Sequence, residues 1–309
     1  MKFPEKITLK EVGPRDGLQN EKTFISTEDK VEWINMLSDT GLSYVEITSF
    51  VHPKWIPALA DAVDVAKKIK RNKEITYAAL VPNEKGLYRA LEADIDEVAV
   101  FMSASETHNQ KNINKSIDDT FNVLRHVVHE AKASGKTTRG YVSTVFGCPY
   151  EKAVSIDQVI KISDNLFEMG IDELSLGDTI GVGNPAQVQR ILEELLKRFP
   201  ANQLAMHFHD TRGTAIANIL ASLDMGITKF DSAVGGLGGC PYAPGASGNV
   251  ATEDLLYMLN EMQVETGINL DRLLQAAQWV EKKVGRSLPS RNLQVAKAST
   301  NQECNRKGD

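Results

Sequence analysis

Short runs in which apolar and β-branched residues cluster or alternate recur along the chain at Ile7–Val12, Tyr44–Phe50, Ile75–Val81, Glu97–Met102, Thr138–Val145, Glu173–Leu176, Leu204–His209 and Lys229–Val234. Their length and the turn-forming residues that bound them predict eight strands. Between them, apolar positions recur at helical spacing in Thr27–Thr40, Ile117–Ser134, Ile156–Met169, Ala186–Phe199 and Thr214–Met225, with Ser26 and Thr27 offering a capping hydroxyl to the first. Gly41, Gly135, Gly170 and Gly226 each follow a periodic run and precede a strand, where a helix end takes up a left-handed residue. Strand then helix, repeated over roughly 250 residues, predicts an α/β fold of (β/α)8 TIM-barrel type. A flat doubly wound sheet is disfavoured, because no GxGxxG or GxxxxGK[ST] follows the first run. Thr252–Thr266 and Leu270–Val284 predict two additional C-terminal helices, so residues 1–285 are read as one barrel domain and the polar residues 286–309 as a flexible tail.

Composition narrows the class without changing the fold. The 309 residues are 42% hydrophobic and 25% charged, ordinary for a globular chain, and 35 basic against 41 acidic residues leave a net charge of −6. Both signs are mixed along the chain, unlike the basic excess of a nucleic-acid binder. No apolar run approaches the roughly 18 residues of a membrane span, and periodicity beginning by Ile7 leaves no room for a signal peptide. Cys148, Cys240 and Cys304 are widely spaced and lack CxxC pairing, so neither a disulfide framework nor a zinc ribbon is indicated. These features predict a cytoplasmic protein with no nucleic-acid or membrane partner.

In a barrel, chemistry gathers at the C-terminal ends of the strands. The first predicted strand is followed by Gly13-Pro14-Arg15-Asp16-Gly17, a cation beside a carboxylate in a Gly/Pro-framed loop. Glu46 is embedded in an apolar strand and needs a partner if it is buried, for which Arg15 is the obvious candidate. Asp178 closes the sixth strand. His207 and His209 are two apart, so on a strand both imidazoles face the same side, which favours a metal over two independent core histidines. A glycine-rich stretch from Gly235 to Asn249 follows the eighth strand and suits a connector, a lid or a phosphate-binding loop. Gly147-Cys148-Pro149-Tyr150 and Gly239-Cys240-Pro241-Tyr242 repeat one another, which a shared turn explains as well as a thiol at the mouth.

Taken together, GPRDGLQNE at 13–21, SFVHPKWIPALAD at 49–61, GCPYE at 147–151, SLGDTIGVG at 175–183, HFHDTRGTA at 207–215 and GLGGCPYAPGASGNVATEDL at 236–255 resemble the 3-hydroxy-3-methylglutaryl-CoA (HMG-CoA) lyase family over roughly residues 5–285. The resemblance implies a TIM barrel with one divalent cation, Mg²⁺ or Mn²⁺, that splits HMG-CoA into acetyl-CoA and acetoacetate. It implies Asp16, His207, His209 and Asn249 as metal ligands, Arg15 and Cys240 as catalytic residues, and Glu46 and Asp178 as polar support. Arg15, Gln19 and Asn112 are the expected contacts to the acyl-CoA substrate, Asp16 and His207 the candidate bases, and a homodimer the expected assembly. Arg212 departs from the aromatic residue expected there in the animal enzymes and would add a cation near the metal.

Two other functions compete. A Claisen-type condensing enzyme such as an isopropylmalate or homocitrate synthase shares the superfamily, but usually carries extra C-terminal domains and lacks the GLGGCPY loop. A non-catalytic metal-binding barrel would not need a complete set of acid, base, cation and ligands.

Overall fold

The computed structural model describes residues 3–238 and 248–306, with side chains through residue 299. Eight parallel strands, β1 (Thr8–Glu11), β2 (Tyr44–Ser49), β3 (Thr76–Leu80), β4 (Glu97–Ser103), β5 (Thr137–Ser143), β6 (Glu173–Asp178), β7 (Leu204–Phe208) and β8 (Lys229–Ser232), close into a barrel in chain order. Closure is made by β8 against β1, in register from Thr8↔Lys229 to Glu11↔Ser232. Every expected strand is present. Gly41, Gly135, Gly170 and Gly226 all have positive φ. At Gly41 the demand is steric as well, since a Cβ would lie 2.2 Å from the Gly267 carbonyl oxygen.

Side chains alternate between two environments along the strands. One set, including Val45, Ile47, Val98, Val100, Leu174 and Leu176, joins the large apolar core that the surrounding helices cover. The other set is unusually polar, and its members bond across strands. Lys10 Nζ lies 2.6 Å from Glu173 Oε1, Arg139 Nε donates to the same oxygen at 2.7 Å, and Arg139 Nη2 reaches Asp231 Oδ1 at 2.6 Å. These groups are buried, so each charge needs its partner, and removing one member of such a pair costs about 3–5 kcal/mol.

The C-terminal segment differs from the flexible tail expected for 286–309. Arg291–Arg306 is a helix, anchored by Leu288 and Leu293, both buried. Asp254 caps it, accepting the backbone N–H groups of Arg291 and Asn292 at 2.9 and 2.7 Å and the Ser290 hydroxyl at 2.9 Å. Two leucines on either side of a capped turn are enough to dock a segment that composition alone reads as solvated. No helix among the described residues is long and apolar enough to cross a membrane.

Candidate active site

Immediately past β1 the chain winds tightly through Gly13–Gly17. The backbone N–H groups of Arg15, Asp16 and Gly17 all point at the Val12 carbonyl, at 3.1, 2.7 and 3.3 Å. This π-type turn carries Arg15 and Asp16 inward, and both are buried. The Glu11 carboxylate secures it, accepting from Gly13 N at 2.8 Å, from Val234 N at 3.0 Å and from the Thr252 hydroxyl at 2.6 Å. Glu253 accepts the neighbouring Gly235 N–H at 3.0 Å. Glu11 therefore ties the turn after β1 to the segment after β8, Glu253 holds that segment from the helix that follows it, and burial pushes each of the two carboxyls up to about 7.

Arg15 has the expected partner. Its Nε and Nη2 lie 2.7 and 2.6 Å from Glu46 Oε2, while Nη1 donates to Asp16 Oδ1 at 2.6 Å. The Tyr141 hydroxyl adds a bond to Glu46 Oε2 at 3.1 Å, and its ring lies 5.2 Å from the Arg15 guanidinium carbon. Burial alone would lower the Arg15 pKa, but Glu46 and Asp16 outweigh it and hold the guanidinium above its ordinary value. Burial likewise works to raise Asp16, and the Arg15 charge overcomes it to hold that carboxyl well below the usual carboxylate range. Glu46, with no exposure at all, is raised by burial despite Arg15.

Asp16 also faces β7. Its Oδ2 accepts from Asn249 Nδ2 at 2.7 Å and lies 3.8 Å from His209 Nε2, while Oδ1 accepts from Gln19 Nε2 at 2.8 Å. The rings of His207 and His209 stand 5.2 Å apart, and Asp16, His207 and His209 each offer a ligand atom within 4.8 Å of the others. Asn249 is brought in by an isolated bridge to His209. Its amide nitrogen is committed to Asp16 and to the Leu237 carbonyl at 3.1 Å, and its buried Oδ1 has no hydrogen-bond partner among the described residues. The close packing here requires glycine at 238, where φ is 100° and a Cβ would sit 2.5 Å from Asn249 Nδ2. An orphaned carbonyl oxygen beside a carboxylate and two imidazoles fits a divalent cation in a mixed oxygen and nitrogen shell.

These groups open into a cavity of about 580 Å³, lined by Arg15, Asp16, Gln19, Asn112, His207 and His209 among others. Gln19 and Asn112 therefore share the space with the charged cluster. Asp178 accepts the N–H groups of Val182 and Gly183 at 3.0 and 2.8 Å, so its direct work is to shape the loop after β6, and burial raises its pKa. Arg212 lies in the loop after β7. It is exposed, and its guanidinium donates to the Ile180 and Gly181 carbonyls at 3.0 and 2.9 Å, strapping two loops together. Cys148 is buried in a turn, its sulfur 3.0 Å from the Ser105 hydroxyl and accepting the Tyr150 N–H at 3.3 Å. Cys240 lies outside the described residues.

The HMGL-like family model matches residues 6–280. Hydroxymethylglutaryl-CoA lyase YngG of Bacillus subtilis is 66% identical over 299 residues, 97% of this chain and all of that protein. The chain belongs to the HMG-CoA lyase family. Solved members superpose closely. The Bacillus subtilis HMG-CoA lyase matches with a TM-score of 0.95 at 66% identity, covering 96% of this chain and 100% of that one. An HMG-CoA lyase from Acinetobacter baumannii, described in complex with coenzyme A and 3-methylmalate, matches with a TM-score of 0.90 at 42% identity, covering 94% and 95%.

Around the HMG-CoA lyase cluster stand residues that the motifs did not single out: Tyr141, Arg139, Ser175 and Asp231. His207 Nδ1 is 3.1 Å from Asp231 Oδ2, which also accepts the Ser175 hydroxyl at 2.8 Å. Arg139 and Asp231 lie in the strands TTRGYVS and KFDS, where neighbouring polar residues leave a buried charge without a local signal.

Proposed function

We propose that this chain is a divalent-metal-dependent carbon–carbon lyase that splits HMG-CoA into acetyl-CoA and acetoacetate in the mouth of the barrel. The observation that carries the reading is the convergence of Asp16, His207 and His209 within 4.8 Å, with Arg15 bonded to Asp16. The lyase names of the relatives, and the coenzyme A and 3-methylmalate in the Acinetobacter structure, support the same substrate class. The mixed set of two oxygen and two imidazole donors suits Mg²⁺ or Mn²⁺, held by Asp16, His207, His209 and Asn249 Oδ1. With this reading go a cytoplasmic location, expected from the cysteine usage and the lack of an apolar span, and a homodimer, which the family resemblance implies.

Asp16, His207, His209 and Asn249 would hold a divalent cation, which would supply Lewis-acid polarisation of the substrate's tertiary hydroxyl. Of the two candidate bases, Asp16 would take the hydroxyl proton, because His207, with Nδ1 against Asp231 and Nε2 toward the cation, has no nitrogen left to accept it. Carbon–carbon cleavage then releases acetoacetate and leaves the enolate of acetyl-CoA. Arg15 neutralises the charge on the enolate oxygen, and its bonds to Glu46 and Asp16 orient it beforehand, so little reorganisation is needed in the transition state. Cys240 returns a proton to carbon. A thiol with a pKa near about 8.5 is mostly protonated at neutral pH, as a proton donor must be.

The reading is tested by incubating the purified protein with Mg²⁺ and HMG-CoA, and in parallel with acetyl-CoA and a 2-oxo acid. Equal amounts of acetyl-CoA and acetoacetate in the first reaction, with no CoA released in the second, are the expected result. CoA release in the second without acetoacetate in the first would replace cleavage with condensation.

A further inference from the structure

We propose that Asp231 is a positioning residue that holds the His207 imidazole in its Nδ1–H form, turning Nε2 toward the cation, and that Arg139 anchors Asp231 for this purpose. The inference rests on the metal-dependent reading above. Its basis is a chain of buried contacts running through the barrel to the candidate ligand. Asp231 lies on β8 opposite His207 of β7, a register partner, and its Oδ2 is 3.1 Å from His207 Nδ1. That oxygen also accepts the Ser175 hydroxyl at 2.8 Å, while Oδ1 accepts Arg139 Nη2 at 2.6 Å. Arg139 is fixed in turn by Glu173 at 2.7 Å and by the Tyr141 hydroxyl. Asp231 and Arg139 are both buried, so each depends on the other to compensate its charge.

An ionised carboxylate only accepts hydrogen bonds, so the facing Nδ1 must carry a proton. The lone pair of a neutral ring then sits on Nε2. A carboxylate behind a ligating histidine fixes both tautomer and ring orientation, and its loss typically costs about 10- to 100-fold in metal affinity. A network that merely filled the barrel would stabilise the fold without affecting the cation.

Two measurements separate these roles. In the Mg²⁺-loaded wild-type protein, ¹⁵N spectra of labelled histidine should place the His207 proton on Nδ1; a proton on Nε2 overturns the proposal. Calorimetric titration with Mn²⁺ should show Asp231→Asn binding about 10- to 100-fold more weakly than wild type, and Ser175→Ala weakened to a smaller extent. Glu97→Gln, which removes charge near Lys10 and Tyr44 at a distance from His207, should keep wild-type affinity. Unchanged affinity in folded Asp231→Asn, or an equal loss in Glu97→Gln, overturns the proposal. If Asp231→Asn does not fold, the wild-type tautomer and Ser175→Ala decide it. A wild-type protein that binds no Mn²⁺ overturns the metal reading itself, and this inference with it.

Discussion

Arg15 Nε and Nη2 converge on a single oxygen of Glu46, at 2.7 and 2.6 Å, inside the barrel. The guanidinium is therefore locked by one carboxylate while its remaining nitrogen reaches Asp16. Such a cation is oriented in advance, and it cannot be deleted without stranding a buried charge.

Arg15→Met should lower kcat by about 10²- to 10³-fold, the usual effect of losing one preorganised donor. It should also destabilise the fold by about 3–5 kcal/mol, because Glu46 loses its counter-ion. Adding Glu46→Gln should recover the thermal midpoint and leave kcat low. Arg15→Lys should fail as well, since a single ammonium cannot bridge two carboxylates in a fixed fork. Steady-state kinetics beside thermal melts check all three; a kcat within about tenfold of wild type in Arg15→Met would remove Arg15 from the reaction.

The two GCPY segments should separate cleanly in kinetics. Cys240→Ser should lose several orders of magnitude in kcat while Mn²⁺ binding by calorimetry stays intact. Cys148→Ser should keep kcat, because the Cys148 sulfur is engaged by Ser105 and by backbone N–H groups of its own turn. Equal damage from both substitutions would contradict the assignment.

Glu11 predicts an unusual pH dependence of stability. Burial holds its folded pKa at about 7, against a usual value of 4.5. Between those values the folded chain keeps a proton that the unfolded chain releases, so stability falls as pH rises through this window and the contribution is gone above about 7. The shift corresponds to roughly 3 kcal/mol. Glu11→Gln should therefore gain on wild type as pH rises from about 5 to 8 in denaturant titrations. Parallel profiles for the two proteins would contradict this.

Asn249→Ala should weaken Mn²⁺ binding by about tenfold or more, since it removes the orphaned Oδ1 and the amide that orients Asp16. The readout is calorimetric affinity, and wild-type affinity in the variant would take Asn249 out of the ligand set.

Much of this architecture was legible in the sequence, for local reasons. Strand alternation and the glycines at 41, 135, 170 and 226 are written in neighbouring residues, and all eight strands follow from them. The spacing of His207 and His209 showed a shared face, and Arg15 as partner of Glu46 followed from the cost of burying a charge. Asn249 came only from the family resemblance. What stayed hidden depends on long-range pairing: Asp231 bonds residues 56 and 92 positions away, at Ser175 and Arg139. Glu11 looked like the end of a strand, yet it holds Val234, 223 positions distant. Leu288 and Leu293 were too few to stand out from the polar segment around them, although a cap on Asp254 makes them sufficient.

The most direct test is restoration of activity to metal-stripped protein. EDTA-treated and desalted protein should form no acetoacetate from HMG-CoA, and Mg²⁺ or Mn²⁺ should restore acetyl-CoA and acetoacetate in equal amounts, saturating at one bound cation per chain. His209→Ala should stay inactive at the same metal concentrations. Full cleavage by the stripped protein, or restored activity in His209→Ala equal to wild type, would contradict a reaction built on the Asp16, His207 and His209 cluster.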